Sequence, residues 1–145
     1  MKALNEIDIS NLIPQRPPIL LVDRLVYCDE YVVVSELTIR DDNIFCEFGV
    51  MDAAGLIENV AQTCAAGIGY HTIVGGSKVR LGVIGAISNM DIVSTPLVGD
   101  KLTTKVMVEE EIFNMTLVRA EVYDGDLLLA KVSMKIALTD KETQE

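Results

Sequence analysis

The stretch from Ala53 to about His71 constrains the fold more than any other part of the chain. It contains no proline, and nearly every residue in it is apolar or small. A helix that is apolar on all sides is a buried helix, so other structure must surround it. Asp52, directly before the stretch, is a good N-cap residue, and the glycines between Gly67 and Gly76 mark the exit. The sequence therefore predicts one long, buried central helix.

Strand-like segments lie on both sides of this helix. They are rich in β-branched residues, alternate between apolar and polar positions, and are separated by turns such as Asp29-Glu30 and Asp124-Gly125. The predicted strands are residues 19–27, 31–40, 81–92, 102–113, 115–123 and 127–138. Residues 6–12 are predicted to form a short helix or turn, and residues 44–51 a loop. This order predicts an α+β fold in which an antiparallel sheet of five or six strands wraps the central helix.

The length of 145 residues is that of one ordinary domain, so we expect a single domain over residues 1–145 with its core at about 8–138. A sheet of this size around one helix leaves an edge strand and apolar surface open. Two copies of the chain would cover both, which predicts a homodimer, with larger assemblies left open.

Charge and apolar-run length exclude several classes of partner. The net charge of -10 opposes binding to nucleic acid and to membrane surfaces, because both depend on clustered lysine and arginine. The longest apolar runs, such as residues 19–22 and 127–130, fall far short of the roughly 20 residues that span a membrane. The first residues lack the apolar stretch of a secretory signal, so we expect a cytoplasmic protein.

The cysteines do not suggest a metal or a disulfide framework. There are three of them, without a CxxC spacing, and the chain has one histidine. An odd number of cysteines with a single imidazole is typical neither of a zinc site nor of a disulfide scaffold. We therefore expect no metal and no cofactor.

Polar residues within the apolar helix are the first candidates for chemistry. Glu58 and Gln62 are four residues apart and so share one face of the helix. A carboxylate in such an element costs several kcal/mol unless it is paired, hydrogen-bonded or solvated by a pocket. The Gln62 amide could hold the carboxyl in one orientation. The alternative is that this polar stripe is the solvent-facing edge of the helix.

The start of the helix offers a second candidate site. Free backbone N–H groups around Ala54, Gly55 and Leu56 could bind a thioester carbonyl and stabilise the enolate formed on proton loss. The alternative is that Gly55 allows tight packing against a strand. The only histidine, His71, lies 13 residues beyond Glu58, roughly 20 Å along the helix, which favours a capping or surface role for it.

Three ordered blocks of sequence resemble the bacterial 3-hydroxyacyl-acyl carrier protein dehydratases. Residues 12–25, LIPQRPPILLVDRL, resemble the opening of that family, with Gln15 where the family has a histidine. Residues 55–62, GLIENVAQ, resemble its helix motif, and residues 96–102, PLVGDKL, resemble a turn that ends in Gly-Asp. The resemblance covers roughly residues 8–138.

The resemblance implies a hot-dog fold, a dimer, an active site at the subunit interface and a tunnel for the acyl chain. In the family a loop histidine removes the C2 proton, a helix glutamate gives a proton to the departing 3-hydroxyl group, and a helix-end amide binds the thioester oxygen. Glu58 matches the glutamate, and Gly55, Leu56 and Ile57 lie where the amide comes from. With Gln62, these three are the expected substrate-binding residues.

The catalytic histidine of the family has no counterpart. Glu47 lies nearest its place, in a loop over residues 44–52 that resembles more loosely the divergent dehydratase-like proteins associated with aryl-polyene and related pigment pathways. Glu47 is a base if a second carboxylate raises its pKa, and Glu58 would be that neighbour. Otherwise Glu47 is a solvated acid in a loop.

Three functions are therefore weighed. The first is dehydration of a 3-hydroxyacyl thioester on acyl carrier protein, with Glu58 and Glu47 as the catalytic residues. The second is a thioesterase that uses the helix carboxylate on an acyl-CoA or acyl carrier protein. The third is a non-catalytic acyl-binding subunit that pairs with an active homologue. A carrier would dock at a local basic spot such as Arg16, Arg24, Lys78 or Arg80.

Overall fold

The computed structural model describes residues 3–75 and 80–140, and the central helix is its longest helical element. This helix, α1, runs over Ala53–Gly75, one turn beyond the predicted end. The Asp52 carboxylate accepts a hydrogen bond of 2.8 Å from the Ala54 N–H, so the predicted N-cap is confirmed. No helix in the described residues is long and apolar enough to cross a membrane.

Six strands form one antiparallel sheet around this helix, which confirms the predicted α+β architecture. The strands in chain order are β1 (Arg24–Cys28), β2 (Val32–Thr38), β3 (Cys46–Glu47), β4 (Val50–Met51), β5 (Arg80–Ile92), β6 (Lys101–Ile112), β7 (Met115–Asp124) and β8 (Leu127–Asp140). The large sheet has the order β1-β2-β6-β7-β8-β5, and β3 pairs with β4 in a separate hairpin. Short 3₁₀ turns over Leu4–Glu6 and Ile9–Asn11 precede β1.

Two segments differ from the sequence prediction. The first strand begins at Arg24 rather than at residue 19, because the chain turns at Arg16, whose carbonyl accepts hydrogen bonds from the N–H groups of Ile19 and Leu20. The predicted loop over residues 44–51 contains the β3–β4 hairpin, whose tip is Phe48-Gly49 with φ angles of 53° and 79°. This left-handed backbone suits glycine and turns the chain tightly.

The main core lies between α1 and the concave face of the sheet. Alternate residues of β6, β7 and β8 are buried against the helix, as the period of two in their sequences predicted. Leu56 and Val60 meet them from α1 and are fully buried. Full burial of one such side chain contributes roughly 1.5–3 kcal/mol, so this layer is the main source of stability.

The convex face of the sheet carries a cross-strand row of alternating charge. Lys105 on β6 lies opposite Glu121 on β7, which lies opposite Lys131 on β8, which lies opposite Asp91 on β5. Opposite charges at paired positions favour this register over one shifted by one residue, which would also turn the buried side chains outward.

A glycine on α1 allows the amino-terminal turns to pack against the helix. A Cβ at Gly69 would overlap the backbone carbonyl of Leu12, which cannot move without displacing the buried side chains of Ile9 and Leu12. Gly69 is therefore fixed by close approach of two backbones.

We expect Gly69→Ala to destabilise the protein by about 2 kcal/mol or more, although alanine gains about 1 kcal/mol of helix propensity over glycine. Urea unfolding followed by circular dichroism measures the change. Gly85→Ala on β5 is the matched control, because its Cβ would meet only ordinary contact distance, 3.7 Å from the Lys135 carbonyl oxygen. Equal stability of Gly69→Ala and the wild type would contradict the close-packing account.

Candidate functional site

The side-chain amide of Gln62 makes three hydrogen bonds in the interior. Its Oε1 accepts from the Leu21 N–H at 2.7 Å, and its Nε2 donates to the Ile19 carbonyl at 3.1 Å and to the Glu58 carboxylate at 3.0 Å. Gln62 is only 1% exposed. One buried amide therefore fixes both the chain over residues 19–21 and the carboxyl group of Glu58.

Asn59, three residues before Gln62 on α1, also binds the segment over residues 19–21. Its Nδ2 donates to the Leu21 carbonyl at 2.7 Å, and its Oδ1 accepts from the Thr104 hydroxyl of β6. The Thr63 hydroxyl donates to the Asn59 carbonyl at 2.8 Å and contacts the Ser35 hydroxyl of β2 at 2.7 Å. The buried polar groups thus connect helix and sheet with their hydrogen bonds satisfied.

These amides explain why the predicted strand does not start at residue 19. Gln62 and Asn59 supply the Leu21 backbone with both of its hydrogen bonds, so this residue needs no strand partner. The sequence signal was present, because two amides within an otherwise apolar helix require buried partners. The identity of those partners, a segment about 40 residues away, was not deducible from spacing.

Glu58 lies where the buried face of α1 meets its open face. Its side chain is half-buried, and Gln62 is its hydrogen-bond partner within the described residues. Ile57, Ala61, Ala65 and Ile68 lie along this side of the helix at spacings of three and four residues and are also only half-buried, with Ala65 packed against the amino-terminal core cluster. We call this surface the open strip. It is apolar except for the carboxylate at its start.

The backbone N–H groups of Ala54 and Gly55, at the start of α1, already donate hydrogen bonds within the chain. The Ala54 N–H donates to the Asp52 carboxylate, and the Gly55 N–H donates to the Asp52 carbonyl at 2.9 Å. The expectation of free N–H groups at Ala54 and Gly55 is therefore wrong, because Asp52 accepts a hydrogen bond from each of them. A Cβ at Gly55 would lie 2.8 Å from Met51 and 2.9 Å from Phe45, so this glycine packs tightly, as the alternative interpretation held.

The other two expected substrate-binding residues of the helix start differ in exposure. Leu56 is fully buried in the core and presents no side chain to a ligand. Ile57 is half-buried and begins the open strip beside Glu58. That Gly55, Leu56, Ile57 or Gln62 binds a substrate remains a prediction.

Glu47 is exposed on the β3–β4 hairpin directly before α1. It pairs with Val50 in the hairpin register, and no hydrogen bond or ion pair within the described chain joins it to Glu58. The hairpin is anchored by the Met51 N–H on the Pro96 carbonyl and by the Val98 N–H on the Gly49 carbonyl, both at 2.9 Å. Glu47 therefore projects from a fixed support into solvent.

His71 occupies an exposed position near the far end of α1, which agrees with the predicted surface role. Its Nε2 lies 2.8 Å from the Asp29 carbonyl and 3.5 Å from the Cys28 sulfur. Burial, and then the Asp29 charge, raise the pKa of the Cys28 thiol to about 11, so this thiol stays protonated at neutral pH. Among residues 3–75 and 80–140, no group of three or more His, Cys, Asp or Glu side chains is placed to hold a metal.

Two of the four basic residues considered for docking already have partners. The Arg16 guanidinium donates to the carbonyl groups of Ser10, Ile13 and Gln15, and Arg24 lies 3.3 Å from Glu36. Arg16 therefore secures the turn that precedes β1. Lys78 and the side chain of Arg80 lie outside the described part of the structure.

Comparison with known proteins places this geometry in a family. The family model described as ApeP-like, ApeP dehydratase, matches residues 7–144. The chain is 29% identical over 144 residues to the 3-hydroxyacyl-(acyl-carrier-protein) dehydratase FabZ of Clostridioides difficile, covering 95% of this chain and 99% of that protein.

Solved structures share the fold. The dehydratase heterocomplex ApeI:P from Xenorhabdus doucetiae superimposes with a TM-score of 0.83 at 15% identity, covering 93% of both chains. A hypothetical thioesterase from Streptococcus pneumoniae, solved with coenzyme A, has a TM-score of 0.66 at 13% identity, covering 83% of this chain and 88% of that one. The expected hot-dog fold is confirmed.

We expect Gln62→Leu to destabilise the protein by about 2–4 kcal/mol, because it leaves the buried Leu21 N–H and Ile19 carbonyl without partners. Denaturant unfolding monitored by circular dichroism measures the loss. Thr72→Val is the control, because it removes one hydrogen bond, to the Ile68 carbonyl, at a half-buried helix position. A Gln62→Leu protein no less stable than Thr72→Val would contradict the stabilising role of the Gln62 hydrogen bonds.

Proposed function

The chain belongs to the ApeP-like dehydratase family, and we propose that Glu58 is the residue through which it acts on 3-hydroxyacyl thioesters. Its reaction class is the dehydration of such a thioester, in agreement with its dehydratase relatives. The carrier is proposed to be acyl carrier protein, the substrate carrier in the name of the Clostridioides difficile relative.

The reaction requires two proton transfers. A base removes the proton on C2 of the acyl chain, the C2–C3 double bond forms, and the C3–O bond breaks. The departing hydroxyl needs a proton to leave as water. A positioned carboxyl group performs such a step and contributes typically 10²- to 10⁴-fold to the rate. Glu58 is proposed to donate this proton.

The observation that carries this proposal is the setting of Glu58. Gln62 holds one carboxyl oxygen at 3.0 Å, which limits the orientations of the side chain. The open strip of Ile57, Ala61, Ala65 and Ile68 continues from it along α1 and offers an apolar bed for an acyl chain. A held carboxyl at the head of an apolar strip suits a substrate with a polar head and an apolar tail.

The second proton-transfer group must come from elsewhere. The described chain has one imidazole, that of His71, and it lies roughly 20 Å along the helix. Glu47 projects away from its own chain on the anchored hairpin. We therefore propose that Glu47 acts, as base, in the site of a neighbouring hot-dog chain, with a second copy as that neighbour.

We expect Glu58→Gln to lower hydration of a 2-enoyl thioester, the reverse reaction, by about 100-fold or more. The amide keeps the size of the side chain but cannot take the proton from the attacking water, the step that reverses proton donation to the departing hydroxyl. Loss of the enoyl absorbance measures the rate, and release of free thiol is followed in parallel. Thiol release by the wild type without hydration would contradict dehydration and indicate a thioesterase.

The placement of Glu47 across chains predicts complementation. Glu58→Gln and Glu47→Gln should each lose most activity alone. When the two variants are co-expressed, half of the dimers are mixed and each mixed dimer holds one intact site, so activity should recover to about one quarter of the wild-type value. Full activity of Glu47→Gln alone would show that Glu47 is a solvated acid.

A second candidate function is supported by the missing imidazole. The chain would contribute Glu58 to a mixed complex in which a different hot-dog chain supplies the base, and the structurally similar ApeI:P assembly is a heterocomplex. A purified chain inert toward every enoyl length, active only after addition of a histidine-bearing hot-dog partner, would favour this function over the homodimer.

A further inference from the structure

The convex face of the sheet ends in an apolar corner at the β6–β7 hairpin. Thr116 and Val118 on β7 are buried on the core side, so Met115 and Leu117 lie on the convex face. Ile112, the register partner of Met115, shares that face and is 47% exposed. We call the surface formed by Ile112, Met115 and Leu117 the outer corner. Its apolar side chains lie on the side of the sheet that α1 does not cover.

Phe113, at the tip of this hairpin, adds a further apolar side chain at a conformational cost. Because Ile112 pairs with Met115, Phe113 and Asn114 form a two-residue turn. Phe113 has a φ of 56°, in the left-handed region that Asn and Gly favour and that a bulky residue seldom adopts. Its side chain is fully exposed, so no packing within the described chain compensates for the strain. An outlier of this kind points to a function for the side chain.

A row of three paired residues gives the outer corner a defined charge pattern. Glu110 on β6 lies opposite Leu117 on β7, which lies opposite Lys135 on β8. Neighbouring strands are ~4.8 Å apart, so the two charged residues are about 10 Å apart with the leucine between them. Both are exposed, and neither forms an ion pair within the described residues. The row therefore reads acid, apolar, base, and both charges are open to another molecule.

This order of charges is complementary to itself. If a second copy is turned by a two-fold axis parallel to β7 and laid on the first, Leu117 meets Leu117, and Glu110 of each copy meets Lys135 of the other. An axis across the strands would instead bring Glu110 onto Glu110 and Lys135 onto Lys135, which is unfavourable because like charges repel. The charges thus select one of two ways to stack the faces, an isologous contact with aligned strands.

The rest of the convex face limits the contact to this end of the sheet. The same stacking would place Lys105 on Lys131 and Glu121 on Glu121, so like charges oppose an extension of the contact along the strands. Arg119, between the two rows, is already paired with Glu109 at 3.4 Å. The buried area is therefore small, and small interfaces are typically weak and reversible.

We propose that the outer corner, together with Glu110, Lys135 and Phe113, is an interface between copies of this chain. Reciprocal Glu110–Lys135 pairs set its orientation, and burial of Leu117 and Phe113 supplies the affinity. This face lies across the sheet from α1, so it is independent of the association proposed at Glu58. Two isologous interfaces with different axes join dimers into tetramers.

Sedimentation velocity of the full chain over a range of protein concentrations tests this interface. We expect the average mass to rise with concentration toward twice its value at low concentration. About 0.5 M NaCl should weaken the association, because salt screens exposed ion pairs. Glu110→Lys and Lys135→Glu should each abolish the rise. Glu111→Lys is the matched control and should retain it, because Glu111 pairs with the buried Thr116 and so lies on the concave face.

Mixing the two variants distinguishes this contact from a general effect of charge. Each variant alone brings like charges together at both reciprocal positions. A Glu110→Lys copy against a Lys135→Glu copy restores two pairs of opposite charge, so association should return in the equimolar mixture. Equal masses of Glu110→Lys and wild type at every concentration, or a mixture that stays dissociated, would overturn the interface. Hydration of an enoyl thioester should be unchanged in both variants, so failure here is distinct from failure at Glu58.

Phe113→Asn separates a role in association from a role in folding. Asparagine tolerates the left-handed backbone, so the urea midpoint should not fall. Loss of an apolar contact residue should nevertheless raise the dissociation constant of this interface about tenfold. Sedimentation of Phe113→Asn over the same concentrations measures the change. Association equal to that of the wild type would overturn the participation of the hairpin tip.

Discussion

The hydrogen bonds that join the Leu21 backbone to the side chains of Gln62 and Asn59 are the constraint on which the rest of the structure depends. They bring two amides from the middle of α1 to a segment about 40 residues earlier in the chain. A buried backbone group without a partner costs about 1–3 kcal/mol, so the two amides and the segment must meet or the core loses several kcal/mol. Hydrophobic packing alone, which has no direction, would not fix this register.

The same hydrogen bonds connect the fold to the carboxyl group of Glu58. Gln62 uses its second N–H group on Glu58, so the carboxyl orientation is set by the position of residues 19–21. Asn59 continues the connection to Thr104 in the middle of the sheet. The Glu58 carboxyl group is therefore held by Gln62, which is itself fixed by the backbone of Ile19 and Leu21, and this limits the orientations of a side chain at the edge of an apolar helix.

The sequence predicted the architecture well because the fold follows from simple periodicities. Apolar residues on all sides of residues 53–71 required a buried helix, and alternation in the segments that became β6, β7 and β8 required a sheet with one buried face. Asp52 was identified as the cap because its side-chain chemistry is local. Each of these inferences depended on neighbours within a few residues.

Those periodicities could not predict hydrogen-bond partners that lie far apart in the sequence. Residues 19–23 have strand-like composition, but Gln62 and Asn59 replace the strand partner that composition alone suggests. The amides at Ala54 and Gly55 were expected to be free, yet Asp52 uses both through its carboxylate and its carbonyl. Glu58 and Gln62 were paired correctly because four residues on a helix are neighbours, whereas the exposure of Glu47 depended on a hairpin that the sequence did not reveal.

The open strip places an apolar surface, with a carboxylate at its head, on one side of α1. Its residues are only half-buried within the described chain, so a second surface is needed to exclude water from any reaction there. A proton transfer on a solvated strip would compete with bulk water. The proposed chemistry at Glu58 therefore requires association with another chain, which is the same requirement that the proposed role of Glu47 makes.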